Sequence, residues 1–195
     1  MMAGMGLFSR EQYHHIVEIT WGLVAKQGLR DLDADHIAKV ALMPVAPLRT
    51  MLPDQVDIIL LLITDILSKI KIVPNQTLTE QDRLFDVFMQ GFDMAEPHKV
   101  AIQKLWYDLI WKPWVLWQAL PPFHKKLDEM VESLTTSDGV LGQLLTDFGV
   151  RAVFFKTYLT WIDDETLDLS KTMSTLDQSL KQYYELRAYR PIYPI

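Results

Sequence analysis

Residues Ile16–Leu60 read IVEITWGLVAKQGLRDLDADHIAKVALMPVAPLRTMLPDQVDIIL, and the spacing of their apolar groups decides the fold. Ile16, Ile19, Leu23 and Val24 recur at three, four and one residues, which puts them on one stripe of a helix from about Ser9 to Gln27. Ser9 suits an N-cap because its hydroxyl can accept from a free backbone N–H, and Gly28 suits a helix end in the left-handed conformation. A short second helix over about Asp33–Ala41 is expected to carry Ile37 and Val40 inward. Leu42–Pro44 breaks the chain, and a third short helix runs to about Met51. Pro53 and Asp54 restart a fourth helix, rich in leucine and isoleucine, that reaches about Lys71. Three short helices feeding a longer one is an all-α beginning.

The rest of the chain keeps the helical period. Pro74–Thr79 is a polar break, with Thr79 as N-cap and Asp82 in the first turn of a helix from Glu80 to about Met94. Pro97–Ile110 forms the next, and Trp111-Lys112-Pro113-Trp114 ends it. A piece over Trp114–Ala119 stops at Pro121-Pro122, and Phe123–Leu134 resumes. Thr135–Gly139 is a loop, Val140–Trp161 a long apolar helix, and Asp163–Asp168 a solvated acidic turn. The last helix covers about Leu169–Leu186, before a tail, Ala188–Ile195, whose two prolines keep it non-helical. No alternation of period two reaches strand length, so the expectation is an all-α protein of about nine helices.

Composition narrows the classes. The chain has 195 residues, 49% of them hydrophobic and 23% charged, the balance of an ordinary globular protein. The absence of cysteine excludes disulfides, thiol catalysis, zinc–thiolate sites and iron–sulfur clusters, and suits a cytoplasmic protein. Met1–Gly6 lacks the basic region and apolar stretch of an export signal. The most apolar segment, Val56–Val73, is interrupted by Asp57, Asp65, Lys69 and Lys71, and falls short of the roughly 20 apolar residues a bilayer requires. A net charge of -6 argues against a protein that coats nucleic acid, although it leaves room for a local basic face.

On these residues the chain resembles the TetR family of bacterial transcriptional regulators. The stripe Ile16, Ile19 and Leu23, then Gly28, Ile37-Ala38, Ala41, Leu48 and Leu52 follow the family's N-terminal helix-turn-helix. Trp161-Ile162-Asp163-Asp164, followed by Ser170-Lys171-Thr172-Met173 and Leu176-Asp177, is similar to an α-proteobacterial subgroup that overlaps in fold with a lipid-binding protein of ubiquinone biosynthesis. The resemblance implies a helix-turn-helix domain over residues 1–55 and a helical ligand-binding and dimerisation domain over 56–195. It also implies a homodimer, operator DNA as partner, and a small apolar ligand or lipid; no cofactor is implied. The alternative is a lipid- or isoprenoid-binding protein of the same fold that has lost DNA binding.

The DNA-reading surface departs from the family's pattern. Leu42 stands where the turn usually has glycine, Arg49 replaces a tyrosine, Met51 a histidine, and Gln55 the lysine that opens the fourth helix. Between Gly28 and Ile58 the cations Arg30, Lys39 and Arg49 face five anions, Asp31, Asp33, Asp35, Asp54 and Asp57. Phosphate affinity comes from cations that release counterions, so weak DNA binding is expected. Lys39, Arg49 and Thr50 are the candidate DNA contacts, Arg49 foremost because a guanidinium can bind guanine through two hydrogen bonds. Arg49 could equally pair with Asp54 or a helix end.

Aromatic residues mark a second candidate site. Phe88, Phe92, Trp106, Trp111, Trp114, Trp117, Phe155 and Tyr158 are the kinds of side chain that line apolar cavities, and equally the kinds that fill a helical core. The stretch Trp111–Trp117 is costly to expose unless a lid, a dimer contact or a membrane interface covers it. On the last two long helices Phe148, Met173, Leu176 and Leu180 are candidates for a two-fold dimer interface.

Catalytic signatures are lacking. The five histidines show no metal-ligand spacing, and the trio Asp163-Asp164-Glu165 lacks the ordered oxygen ligands of a calcium loop. There is no nucleophile elbow, phosphate loop or dinucleotide fingerprint, so the sequence does not point to an enzyme.

Overall fold

A computed structural model describes residues 7–71, 78–135 and 139–188. The residues 1–6, most of the 74–79 break, and the tail beyond 188 lie outside the described residues. Among those described there are nine α-helices and no strand: α1 (Arg10–Gln27), α2 (Ala34–Ala41), α3 (Val45–Met51), α4 (Gln55–Lys69), α5 (Glu80–Ala95), α6 (Lys99–Trp111), α7 (Pro113–Glu132), α8 (Gly139–Ile162) and α9 (Ser170–Ala188). A 3-10 turn, Glu96–His98, leads into α6.

Two compact units form. The first comprises residues 1–69 and 94–123, the second residues 70–93 and 124–195. In the first, α1 packs on α2, α4 and α6, and α2 packs on α3. Its core is made of Ile16, Val17 and Val24 from α1, Leu29 and Leu32 from the loop, Ile37 from α2, Leu48 from α3, and Ile58 and Leu62 from α4. In the second unit, α8 lies along α9.

Local chemistry sets most of the ends. Ser9 and Gln12 form a reciprocal capping box at the start of α1, with the Gln12 N–H donating to the Ser9 hydroxyl at 3.2 Å and the Ser9 N–H donating to the Gln12 amide oxygen at 2.9 Å. Thr79 and Asp82 do the same for α5. Asp33 caps α2 by accepting the His36 N–H, and Asp54 Oδ1 caps α4 by accepting from Val56 and Asp57. Pro44 is the N-cap of α3, and Pro47 falls at its third position, where the missing N–H would have had no partner within the helix.

Three expectations are corrected. Val40 is exposed, because Ala34, Ile37, Ala38 and Ala41 make the buried face of α2 and Val40 lies off that face. The break expected at Pro121-Pro122 does not occur, and α7 continues through both prolines. Their fixed φ is helical, so the helix passes through them at the cost of two backbone donors and of crowding against the preceding turn. Asp164, read as part of a solvated turn, is buried, and its carboxylate accepts from Thr166 and Thr172.

Candidate functional site

The helix-turn-helix consists of α2, a turn at Leu42-Met43-Pro44, and α3. Leu42 closes α2 in the left-handed region at φ 56° and ψ 41°, with its side chain 92% exposed. Leucine therefore occupies a backbone conformation that glycine adopts without steric cost. Met43 N–H donates to the Ala38 carbonyl at 3.0 Å, which ties the turn back to α2. Leu48 anchors α3 in the core, leaving Arg49 and Thr50 on the exposed side.

Neither exposed residue is directed wholly to an outside partner. Arg49 donates from Nε to Asp35 Oδ1 at 2.6 Å and from Nη2 to Asp35 Oδ2, a two-pronged pair between α3 and α2. The hydrogen bond to Arg49 holds the Asp35 carboxyl below its ordinary pKa, and the same bond raises the guanidinium. Asp54, the partner the sequence suggested, caps α4 instead. The Thr50 hydroxyl donates to the Ala46 carbonyl at 3.2 Å. Lys39 is exposed at the edge of a shallow depression lined by Asp31, Asp33, Asp35, His36 and Val40. The surface beside α3 thus carries three carboxylates, Asp31, Asp33 and Asp35, in keeping with the charge deficit of the sequence.

Gln55, in the family's lysine position, faces inward. Its amide nitrogen donates to the Leu29 carbonyl at 2.8 Å, and its amide oxygen accepts from Lys112 Nζ at 3.1 Å. It links the loop before α2 to the junction of α6 and α7, so it serves the fold of this unit.

Two inward polar arrangements were missed by sequence reasoning. Asp108 on α6 accepts the Leu29 N–H at 2.6 Å. Gly28, at φ 67°, makes room for it: a Cβ there would sit 2.1 Å from Asp108 Oδ2. The second joins α1, α4 and the start of α6. Asp65 Oδ2 accepts from Trp21 Nε1 at 3.0 Å and from Lys69 Nζ at 2.9 Å, while the Trp21 indole stacks on His98 with ring centroids 4.2 Å apart. Burial, and next the Lys69 charge, lowers the His98 pKa. Its sequence signal was Asp65 itself, an acid within the most apolar stretch with a lysine four residues on.

The eight aromatic candidates divide between the two units. Phe88, Phe92, Phe155 and Tyr158 belong to the second unit, and the four tryptophans to the first. Phe88 and Phe92 are buried against Phe154, at centroid distances of 5.6 and 5.9 Å, and Phe92 lies 5.7 Å from the buried Trp161. These rings fill one another's space. Tyr158 lies 6.0 Å from Trp161, and burial raises its phenol pKa above the ordinary value. Phe155 is half exposed. Trp106 is half-buried, whereas Trp111 is 85% exposed and Trp114 and Trp117 are each 70% exposed.

The dimer candidates also divide. Leu176 and Leu180 are fully buried by their own chain, on the face of α9 shared with Thr172 and Ser179. Phe148 on α8 is 74% exposed and Met173 is exposed as well.

No family model and no curated protein matches the chain. Among solved structures it is similar to the crystal structure of a tetR-family transcriptional regulator from Streptomyces coelicolor, with a TM-score of 0.59 and 13% identity over 90% of this chain and 82% of that one. The chain has an all-α, TetR-like fold.

Proposed function

We propose that the protein is a homodimeric, cytoplasmic, TetR-like transcriptional regulator that binds operator DNA and responds to a small apolar ligand. The observation that carries this reading is the α2–turn–α3 unit, in which Ile37 and Leu48 are fully buried while Lys39, Arg49 and Thr50 remain on the exposed side. Residues 1–55 serve as the reading half and 56–195 as the ligand and dimer half. Dimerisation uses the exposed Phe148 and Met173, with the buried Leu176 and Leu180 of α9 supporting the face. The ligand lies beside the aromatic residues of α5 and α8, and acts by favouring one dimer geometry over another.

A specific observation favours a second reading, a lipid or isoprenoid carrier of the same fold without DNA binding. It is the Asp35 carboxylate on Arg49, which takes the Nε–Nη2 edge of the guanidinium and offsets the charge that a guanine or a phosphate would meet.

Titration against the DNA upstream of its own gene, at low and at higher salt, separates the two. The regulator reading expects specific binding with a measurable salt slope, and Asp35→Asn, by releasing Arg49, expects a steeper slope by about one unit per subunit. Absent binding at low salt in both proteins, together with co-purified lipid in native mass spectrometry, overturns the regulator and supports the carrier.

A further inference from the structure

We propose that the outer faces of α6 and α7 dock the protein on an anionic lipid surface. Val100, Lys104, Tyr107 and Trp111 recur at four, three and four residues, one stripe of α6, and Val100, Tyr107 and Trp111 are strongly exposed. Trp114 and Trp117 share the outer stripe of α7. A single residue, Lys112, separates the two helices, so one stripe begins where the other ends. Three indoles at this exposure present on the order of 400 Å² of apolar surface to water, more than an isolated surface residue accounts for.

Charge identifies the occupant. Residues 99–123 hold three lysines against one carboxylate, Asp108; Lys99 pairs with Glu96 at 3.3 Å, which leaves Lys104 and Lys112 as the cations of this face in a chain whose net charge is -6. Asp108 is spent on the Leu29 N–H. Lys104 and Lys112 donate to neutral oxygens, the Lys26 carbonyl and the Gln55 amide, so their charge is retained. Tryptophan and tyrosine interleaved with lysine on a convex helical face is the composition that settles at the headgroup level of a bilayer, rings in the interface and ammonium groups on anionic phosphates. No helix among the described residues is long and apolar enough to cross a membrane, which makes the contact a surface one.

The test is flotation of the full chain with unilamellar vesicles of phosphatidylcholine, with and without phosphatidylglycerol, followed also by tryptophan emission. Expected are co-flotation with the anionic vesicles at low salt, a blue shift of the emission, and weakening as salt is raised. Replacing Trp111, Trp114 and Trp117 together by serine should lower partitioning at least about tenfold. Lys104→Glu, which leaves the indoles in place, should lower it about fivefold or more. No flotation at low salt, or flotation unchanged in the triple variant, overturns the proposal. So does concentration-dependent self-association that the triple variant abolishes while vesicles have no effect, since the face is then a contact between copies.

Discussion

Asp164 Oδ2 accepts both the backbone N–H of Thr172, at 2.9 Å, and its hydroxyl, at 2.7 Å. Oδ1 meanwhile accepts the N–H and hydroxyl of Thr166 at 3.0 and 2.6 Å. One buried carboxylate thereby fixes the turn between α8 and the first turn of α9. Burial alone would raise its pKa, but the four donors outweigh it and hold the group well below the ordinary carboxylate range. Asp164→Asn sets an amide NH₂ against these donors and is expected to cost about 2 kcal/mol in a urea titration near neutral pH. Because the folded pKa is depressed, this stabilisation is complete above the unfolded value of about 3.9 and fades as pH falls toward the folded one, so wild type and variant should converge in acid. Equal urea midpoints at neutral pH would refute the assignment.

Gly28→Ala is expected to destabilise by about 3 kcal/mol or more, part from a backbone at φ 67° and ψ -142° that glycine alone adopts readily and part from displacing Asp108 from the Leu29 N–H. In an Asp108→Ala background only the backbone part, about 1–3 kcal/mol, should remain. Chemical denaturation of the four proteins measures both steps, and strict additivity would contradict the contact.

Leu42→Gly should stabilise by about 0.5–1 kcal/mol, because the left-handed backbone no longer carries a Cβ and the leucine side chain, 92% exposed, contributes little packing. A rise in melting temperature is the readout. A fall would mean that the side chain makes a contact in solution that offsets the strain.

His98 supplies a pH test. Its folded pKa lies below the ordinary value through burial and then Lys69, with Asp65 and Glu18 pulling the other way. The unfolded chain therefore binds the proton first as pH falls, and stability should decline as pH drops through about 6.5 toward the folded value. His98→Phe, which keeps a ring against Trp21, should flatten melting temperature against pH over that window. An unchanged slope would assign the dependence elsewhere.

What the sequence made legible is what neighbours along the chain decide. Ser9 with Gln12 and Thr79 with Asp82 are capping boxes whose partners stand three residues apart, and they set helix starts where the spacing predicted. The buried stripe through Ile16 and Leu23 followed from period alone. Val40 failed because three small residues, Ala34, Ala38 and Ala41, outcompeted a larger one for the inner face, and alanine is a weak hydrophobic signal. The α7 helix failed because a proline pair removes donors without forbidding helical φ. Arg49 with Asp35 spans fourteen residues, and Leu29 with Asp108 seventy-nine; no local pattern announces either.

The clamp between Asp108 and Leu29 has a mechanical corollary. The held N–H lies only four residues before Asp33, the cap of α2, and the intervening Leu29 and Leu32 are themselves fixed in the core. A shift of α6 would therefore pull first on the backbone just ahead of α2, which makes this short span the place where the helix carrying Tyr107 and Trp111 bears on the helix-turn-helix.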